Sequence, residues 1–356
     1  VKRFRFSQVR APRHYALELY GSMKYPDDAP MILGDTVIPA GSTKTVDLQI
    51  ARLLSGTLIH MPVHVFRSEN PGPTILLSGG LHGDEVNGIE AVRRMMSLGL
   101  FNDLACGSVI AIPIINVYGF LFFSREVPDG KDVNRSFPGS AQGSLASLVA
   151  HTMTDKVLPH IDLAVDFHTG GASRTNYPQV RYDPEDADAI RYAKSFAAPI
   201  SMASPLIPGS LRAQGFHMGV PIVVYEGGES MRLEESSVKD AIRGTKRLLS
   251  SLGMYAHKAP KVRGIKDRHG KHSAPRHLSQ TTWVRAEASG LFSFERESGQ
   301  AVSEGELIGR VRNPYDSYSV KVFAPFDGFI IGHNNMPLVH RGDALFHIGR
   351  ESDWPA

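Results

Sequence analysis

Leu76-Leu77-Ser78-Gly79-Gly80-Leu81-His82-Gly83-Asp84-Glu85 is the stretch on which the fold turns. The apolar run from Thr74 to Leu77 reads as a buried strand, and two glycines break it. His82 and Glu85 follow, with two residues between them. From Val86 to Met96 the apolar residues recur at helical spacing. An imidazole and a carboxylate therefore stand at a strand-to-helix turn, at the carboxyl end of a strand. Open α/β sheets build their sites there. One nitrogen and one oxygen donor three residues apart can close on a metal ion. A catalytic zinc takes three such protein ligands and keeps one position for water.

Working outward, the same ending recurs. Ile161 to Phe167 is an apolar run that ends in His168-Thr169-Gly170-Gly171, and Pro221 to Tyr225 ends in Glu226-Gly227-Gly228. Ser108 to Asn116 is a further β-branched, buried run. Helices are predicted over 86–98, 144–158, 185–198 and 235–252. Strands alternating with helices give an α/β domain whose sheet is mixed and largely parallel, flanked by helices. In a parallel sheet the carboxyl ends share one edge, so residues distant in sequence can meet. Two histidines and one glutamate make a catalytic zinc set. Zinc lowers the pKa of a bound water and polarises a carbonyl, which leaves Glu226 to act as general base and then proton donor. Asp166 lies two residues before His168, on the same face of its strand, and suits the orienting of that ligand. A lone His-x-x-Glu is weak, since turns produce it by chance; four pieces in order, each at a strand end, are not.

The segment from Val117 to Gly143 is a long loop with no regular pattern, and such loops are functional or disordered. It carries Arg125 and then Asp132-Val133-Asn134-Arg135-Ser136-Phe137-Pro138-Gly139. A guanidinium grips a carboxylate with two parallel hydrogen bonds and a neighbouring amide adds another; Asn134 and Arg135 suit that task. A further arginine can stabilise an oxyanion.

Bulk properties narrow the classes. The 356 residues are 42% hydrophobic and 21% charged, as in ordinary globular proteins. A formal charge of +3 gives no case for nucleic acid or an anionic membrane. Cys106 is the single cysteine, so no disulfide framework exists. The basic start, Val1 to Phe6, lacks the apolar stretch of a signal peptide, and no apolar run approaches the length of a membrane span. A cytoplasmic protein is expected. The chain divides into an N-terminal extension (1–50), a catalytic domain (51–256), a basic linker (257–280) and a C-terminal β domain (281–356). The linker holds His257, His269, His272 and His277 among lysines and arginines and reads as a basic surface segment. His60 and His64 share one face of a strand that Pro62 assigns to a sheet edge, and they read as exposed strand histidines.

The tail has a weak internal repeat. Ala288-Ser289-Gly290-Leu291-Phe292 leads to Gly305-Glu306-Leu307-Ile308, and Ala324-Pro325-Phe326-Asp327-Gly328-Phe329 leads to Gly342-Asp343-Ala344-Leu345. Two such halves resemble the flattened β-barrel of biotinyl and lipoyl carrier domains. Their modified lysine sits at a hairpin tip, which here falls near Ser317. Lys321 is off that position, so a carrier function is not expected.

Gly-Gly-x-His-Gly-Asp-Glu, Asp-x-Asn-Arg-x-Phe-Pro-Gly, Asp-x-His-Thr-Gly and a strand ending in Glu together resemble the succinylglutamate desuccinylase/aspartoacylase family, relatives of the zinc carboxypeptidases. The resemblance covers residues 55–255. It implies one zinc per chain held by His82, Glu85 and His168, with Glu226 as general acid/base. It implies Arg125 at the developing oxyanion, Asn134 and Arg135 on a substrate carboxylate, and Arg212, in Gly209 to Gly215, as a further substrate-binding arginine. The expected activity is hydrolysis of a small N-acyl amino acid. Two alternatives stand beside it: a metallocarboxypeptidase acting on short peptides, and a non-catalytic binding or scaffold protein using the β tail. A homo-oligomer is left open.

Overall fold

The computed structural model describes residues 30–53, 55–255, 257–265 and 274–354. Most of the N-terminal extension (1–29) and the centre of the basic linker (266–273, with His269 and His272) lie outside the described residues. In chain order the strands are β1 (Met31–Leu33), β2 (Thr36–Ile38), β3 (Thr43–Arg52), β4 (Leu58–Arg67), β5 (Thr74–Gly79), β6 (Ser108–Ile112), β7 (Leu163–Gly170), β8 (Arg174–Tyr182), β9 (Ile200–Ala203) and β10 (Ile222–Glu229). They continue in the tail as β11 (Arg276–Arg285), β12 (Gly290–Phe294), β13 (Ala301–Val302), β14 (Leu307–Arg312), β15 (Ser319–Phe323), β16 (Gly328–Asn334), β17 (Leu338–Val339) and β18 (Ala344–Glu351). The α-helices are α1 (Val86–Ser97), α2 (Val117–Leu121), α3 (Leu145–Thr152), α4 (Ala187–Phe196), α5 (Leu211–His217) and α6 (Glu235–Ser251).

Strand alternation splits the core into two faces. Ile75 and Leu77 of β5, Val165 and Phe167 of β7, and Val223 and Tyr225 of β10 pack against α1, α4 and α6. Leu76, Ala164 and Ile222, one residue out of phase, pack on the opposite face with α3. Every residue of β5, β6 and β7 is buried, as strands covered on both faces must be.

The main sheet has twelve strands in the order β13-β16-β18-β11-β9-β8-β10-β7-β5-β6-β4-β3. Its centre, β6-β5-β7-β10, is parallel. The flanks are not: β4 and β3 run antiparallel, and β8 is antiparallel to β10. The sheet is therefore mixed rather than largely parallel, and the four apolar runs form its parallel centre. Only three residues separate β7 from β8, too few for a crossover helix, so the chain reverses direction there. Ala172 and Ser173 make that reversal with φ of 53° and 57°.

Three local expectations are corrected. The helix over 144–158 stops at Thr152 and continues as a π turn (Met153–Val157) and a 3-10 turn (Leu158–His160) that contains Pro159. The loop after Val117 is not irregular throughout. Asn116 caps α2 by accepting from Gly119 N at 2.8 Å, and Asp132 caps a 3-10 turn at Val133–Arg135. Finally, β4 is not an edge strand, since it lies between β3 and β6. The β6 ladder starts only at His64, so Pro62 sits beyond it, where no N–H is required on that side.

The tail does not form one sheet of its own. β12, β14, β15 and β17 make a four-stranded sheet, while β11, β13, β16 and β18 extend the main one. β11 joins β9 in parallel, and β16 also pairs with β8 through Gly332 and Asn176. Ser317 lies in the turn between β14 and β15, and Lys321 lies within β15. Among the described residues no helix is long and apolar enough to cross a membrane.

Candidate active site

The turn after β5 places His82 and Glu85, both buried, and the end of β7 places His168, also buried. Glu85 touches both rings. Its Oε1 lies 2.7 Å from His82 Nδ1 and its Oε2 lies 2.9 Å from His168 Nδ1. Thr169 N donates to the same Oε2 at 2.9 Å. The two Nδ1 atoms face each other at 3.2 Å. Among the described residues, this trio is the group of His, Asp, Glu or Cys side chains whose donor atoms could hold a metal, all within 4.8 Å of one another.

The surroundings fix the ring orientations. His168 Nε2 lies 2.7 Å from Asp166 Oδ2, and Asp166 Oδ1 accepts from Ser78 Oγ at 2.8 Å. A carboxylate accepts only, so Nε2 carries a proton toward Asp166, and that bond sets the plane of the ring with Nδ1 facing Glu85 and His82. His82 Nε2 lies 3.3 Å from Asp132 Oδ1. Burial alone would lower both histidines. For His82 the charge of Glu85 and then Asp132 outweigh it, and for His168 Asp166 and then Glu85 do, so both are raised. Burial would likewise raise Glu85, but His82 and His168 hold it well below the usual carboxylate range. Two imidazole nitrogens directed at one another beside an ionised carboxylate form a donor set of the kind that a divalent cation neutralises, and two histidines with one glutamate suit zinc.

These residues open onto a cavity of about 260 Å³. Glu226, in the second half of β10 where its register shifts, lies beside His168 in the parallel register and lines the same cavity. Asn176 Nδ2 donates to Glu226 Oε2 at 2.8 Å, and Arg181 Nη1 lies 3.4 Å from Oε1. Arg125 holds Asp132 through Nε and Nη2, at 3.2 and 2.9 Å, and turns Nη1 toward Glu85 Oε1 at 3.3 Å. Asn134 accepts from Leu211 N at 2.9 Å, which commits its oxygen and leaves its NH2 group. Arg135 donates to Asn134 O at 2.6 Å. Arg212 is buried and donates to Pro205 O at 2.6 Å; burial, then Arg181, push it down to about 10. All eight residues singled out in the sequence thus line one cavity.

The sequence reading missed Arg174, Asn176 and Arg181 of β8, and Trp283 of β11, which line it too. β8 reads Arg-Thr-Asn-Tyr-Pro-Gln-Val-Arg-Tyr, with polar residues on both faces and a proline inside, so no apolar alternation marks it. Trp283 follows the basic segment and carries no local signal.

Comparison with known proteins bears on the same region. A family profile described as the succinylglutamate desuccinylase/aspartoacylase catalytic domain matches residues 71–252. An N-alpha-acetyl-L-2,4-diaminobutyric acid deacetylase from Halomonas elongata is 28% identical over 308 residues, spanning 81% of this chain and 84% of the relative. Among solved structures, a succinylglutamate desuccinylase/aspartoacylase from Rhodobacter sphaeroides superposes with a TM-score of 0.77 at 26% identity, covering 87% of this chain and 96% of the other. The product-bound ectoine utilization protein EutE (DoeB) from Ruegeria pomeroyi gives 0.75 at 25% identity, covering 87% and 94%.

Proposed function

The chain belongs to the succinylglutamate desuccinylase/aspartoacylase family, and from that premise we propose that it is a zinc-dependent amidohydrolase that removes the acyl group from a small N-acyl amino acid. The observation that carries this reading is a carboxylate outside the donor set, Glu226, on the same cavity as the buried His82/Glu85/His168 group. The Halomonas relative, named for the deacetylation of N-acetyl-diaminobutyrate, supports the reaction class.

His82, Glu85 and His168 would hold the zinc. Bound there, it would supply Lewis acidity, bringing a water's pKa toward neutrality and polarising the amide carbonyl. Glu226 takes a proton from the attacking water and passes it to the amide nitrogen as the C–N bond breaks, giving a carboxylate and a free amine. The amide N–H of Asn176 and the guanidinium of Arg181 keep both oxygens of Glu226 in place for those transfers. Arg125 Nη1 points at the metal-side carboxylate and is placed to face the developing oxyanion. The free NH2 of Asn134 and the guanidinium of Arg135 take the substrate's α-carboxylate. A cavity of about 260 Å³, walled on one side by Trp283, favours small substrates over peptides.

The test is metal content together with turnover of an N-acyl amino acid panel. About one zinc per chain is expected, with activity removed by a chelator. Glu226→Gln should lower kcat roughly 10²- to 10⁴-fold while zinc content is kept. A protein that takes up no zinc when supplied with it, or a Glu226→Gln variant of undiminished kcat, would overturn the reading.

A further inference from the structure

Five large apolar side chains are exposed around the turn that carries His82 and Glu85. Leu121, Phe122 and Phe123, at the end of α2, are 59%, 66% and 72% exposed. Met231 and Leu233, which follow β10, are 52% and 68% exposed. The two segments meet on consecutive residues of the turn. A Cβ on Gly83 would come within 2.0 Å of Phe120 N, and Met231 N donates to Asp84 O at 2.9 Å. None of the five lines the catalytic cavity.

Two of the five are held on strained backbone. φ is 53° at Phe123 and 59° at Met231, in the left-handed region that a Cβ disfavours. Among the described residues, the other non-glycine residues with positive φ are Ala172, Ser173, Ala197 and Asp316, which are small or suited to turns. Packing within the chain does not offset the strain at Phe123 and Met231, since both side chains are more than half exposed. Strain of this kind persists where it presents a side chain for use.

Size and charge say what covers this face. At those exposures the five side chains present on the order of 600 Å², as much as the largest apolar patch a monomer usually carries and most of the roughly 800 Å² that a standard-size interface takes from each partner. Residues 117–124 hold no charged side chain. Residues 227–234 hold one base and two acids, all engaged within the chain. Arg232 Nε lies 3.0 Å from Glu229 Oε2, and Glu234 Oε1 accepts from Glu229 N at 2.8 Å. An anionic bilayer, a nucleic acid or a charged protein segment would find no counter-charge here. A second copy brings the same uncharged apolar surface across a two-fold axis. We infer that this face is where two copies of the chain associate, each covering the exposed loops of the other. The contact runs along the outside of the turn that holds His82 and Glu85, and the cavity takes no part in it.

The experiment is sedimentation of the full chain at micromolar concentrations, comparing wild type with Phe123→Asp, Leu233→Glu and Leu98→Glu. Aspartate tolerates the positive φ at position 123. Leu98, 64% exposed at the carboxyl end of α1, lies outside this face and controls for added charge alone. Wild type and Leu98→Glu should sediment as dimers. Phe123→Asp and Leu233→Glu should raise the dissociation constant roughly 100-fold or more, because each places an unpaired charge inside the contact. Their circular dichroism should match wild type. A wild type that stays monomeric would overturn the inference, and capture of that monomer by phosphatidylcholine vesicles would assign the face to a membrane instead. A dimer that neither variant weakens would put the association on another face, which overturns it equally.

Discussion

Glu226 has a lone-pair problem that Asn176 solves. A carboxylate in a cavity rich in guanidinium groups can swing toward any of them. The 2.8 Å bond from Asn176 Nδ2 fixes one oxygen and so fixes the direction of the other. Asn176 is buried, and its oxygen faces Gly332 of β16, where a Cβ would come within 2.7 Å. Asn176→Ala should therefore lower kcat roughly 10- to 100-fold with KM little changed, the cost of a hydrogen bond to a charged group. Steady-state kinetics would show it. A variant that loses thermal stability while kcat holds would assign Asn176 a purely structural role. At this scale the sequence was legible wherever a chemical residue followed an apolar run, as His82, Glu85, His168 and Glu226 do. Asn176 and Arg174 sit inside a strand with polar residues on both faces, and only the pairing with β10 and β16 shows what they point at.

Among the elements, the turn that carries His82 and Glu85 depends on how closely α2 can approach. A Cβ on Gly83 would lie 1.9 Å from the carbonyl carbon of Gly119 and 2.0 Å from Phe120 N. Both are backbone atoms of a helix that Asn116 holds through Gly119 N, and Asn116 also donates to Arg125 O at 3.2 Å. Neither side can yield without moving Arg125 or the donor set. Gly83→Ala should cost about 1–3 kcal/mol or more, as overpacking against fixed groups does, and should weaken metal uptake as well. Urea unfolding and a chelator competition measure the two effects; a variant equal to wild type in both would refute the close approach. Elements built on strong periodicity were legible: α1, α4 and α6 fall within two residues of their expected bounds. β8 and β9 were not, because their partners are distant in sequence and their own pattern is weak. The short α2 depends on a side-chain cap rather than on an apolar stripe, so the 3.6-residue period that marks longer helices never accumulates.

For the molecule as a whole, the tail is part of the site as well as an appendage to it. The sequence showed its β character and its repeat. It could not show that β11 would join β9 or that β16 would reach β8, since such pairings are set by surfaces rather than local pattern. His347 stands where tail and site meet. It stacks on the cavity-lining Trp283, and its Nδ1 is buried without a hydrogen-bond partner among the described residues. Burial, then the charge of Arg181 on β8, push its imidazole down to about 3 from an ordinary 6.5. Folding thus favours the neutral ring. Its contribution to stability is complete above pH 6.5 and is lost progressively as pH falls toward 3. At about 1.4 kcal/mol per unit, the loss between pH 6.5 and pH 4 is on the order of 3 kcal/mol. His347→Phe keeps a flat ring on Trp283 and removes the proton site. Relative to wild type, its stability should rise steadily as pH falls below 6.5 and should be flat above it. Unfolding followed by the fluorescence of the chain's two tryptophans, Trp283 and Trp354, reads this directly. If the difference between the two proteins does not change with pH, the His347 ring is not held neutral and the junction between tail and site is no acid-sensitive point.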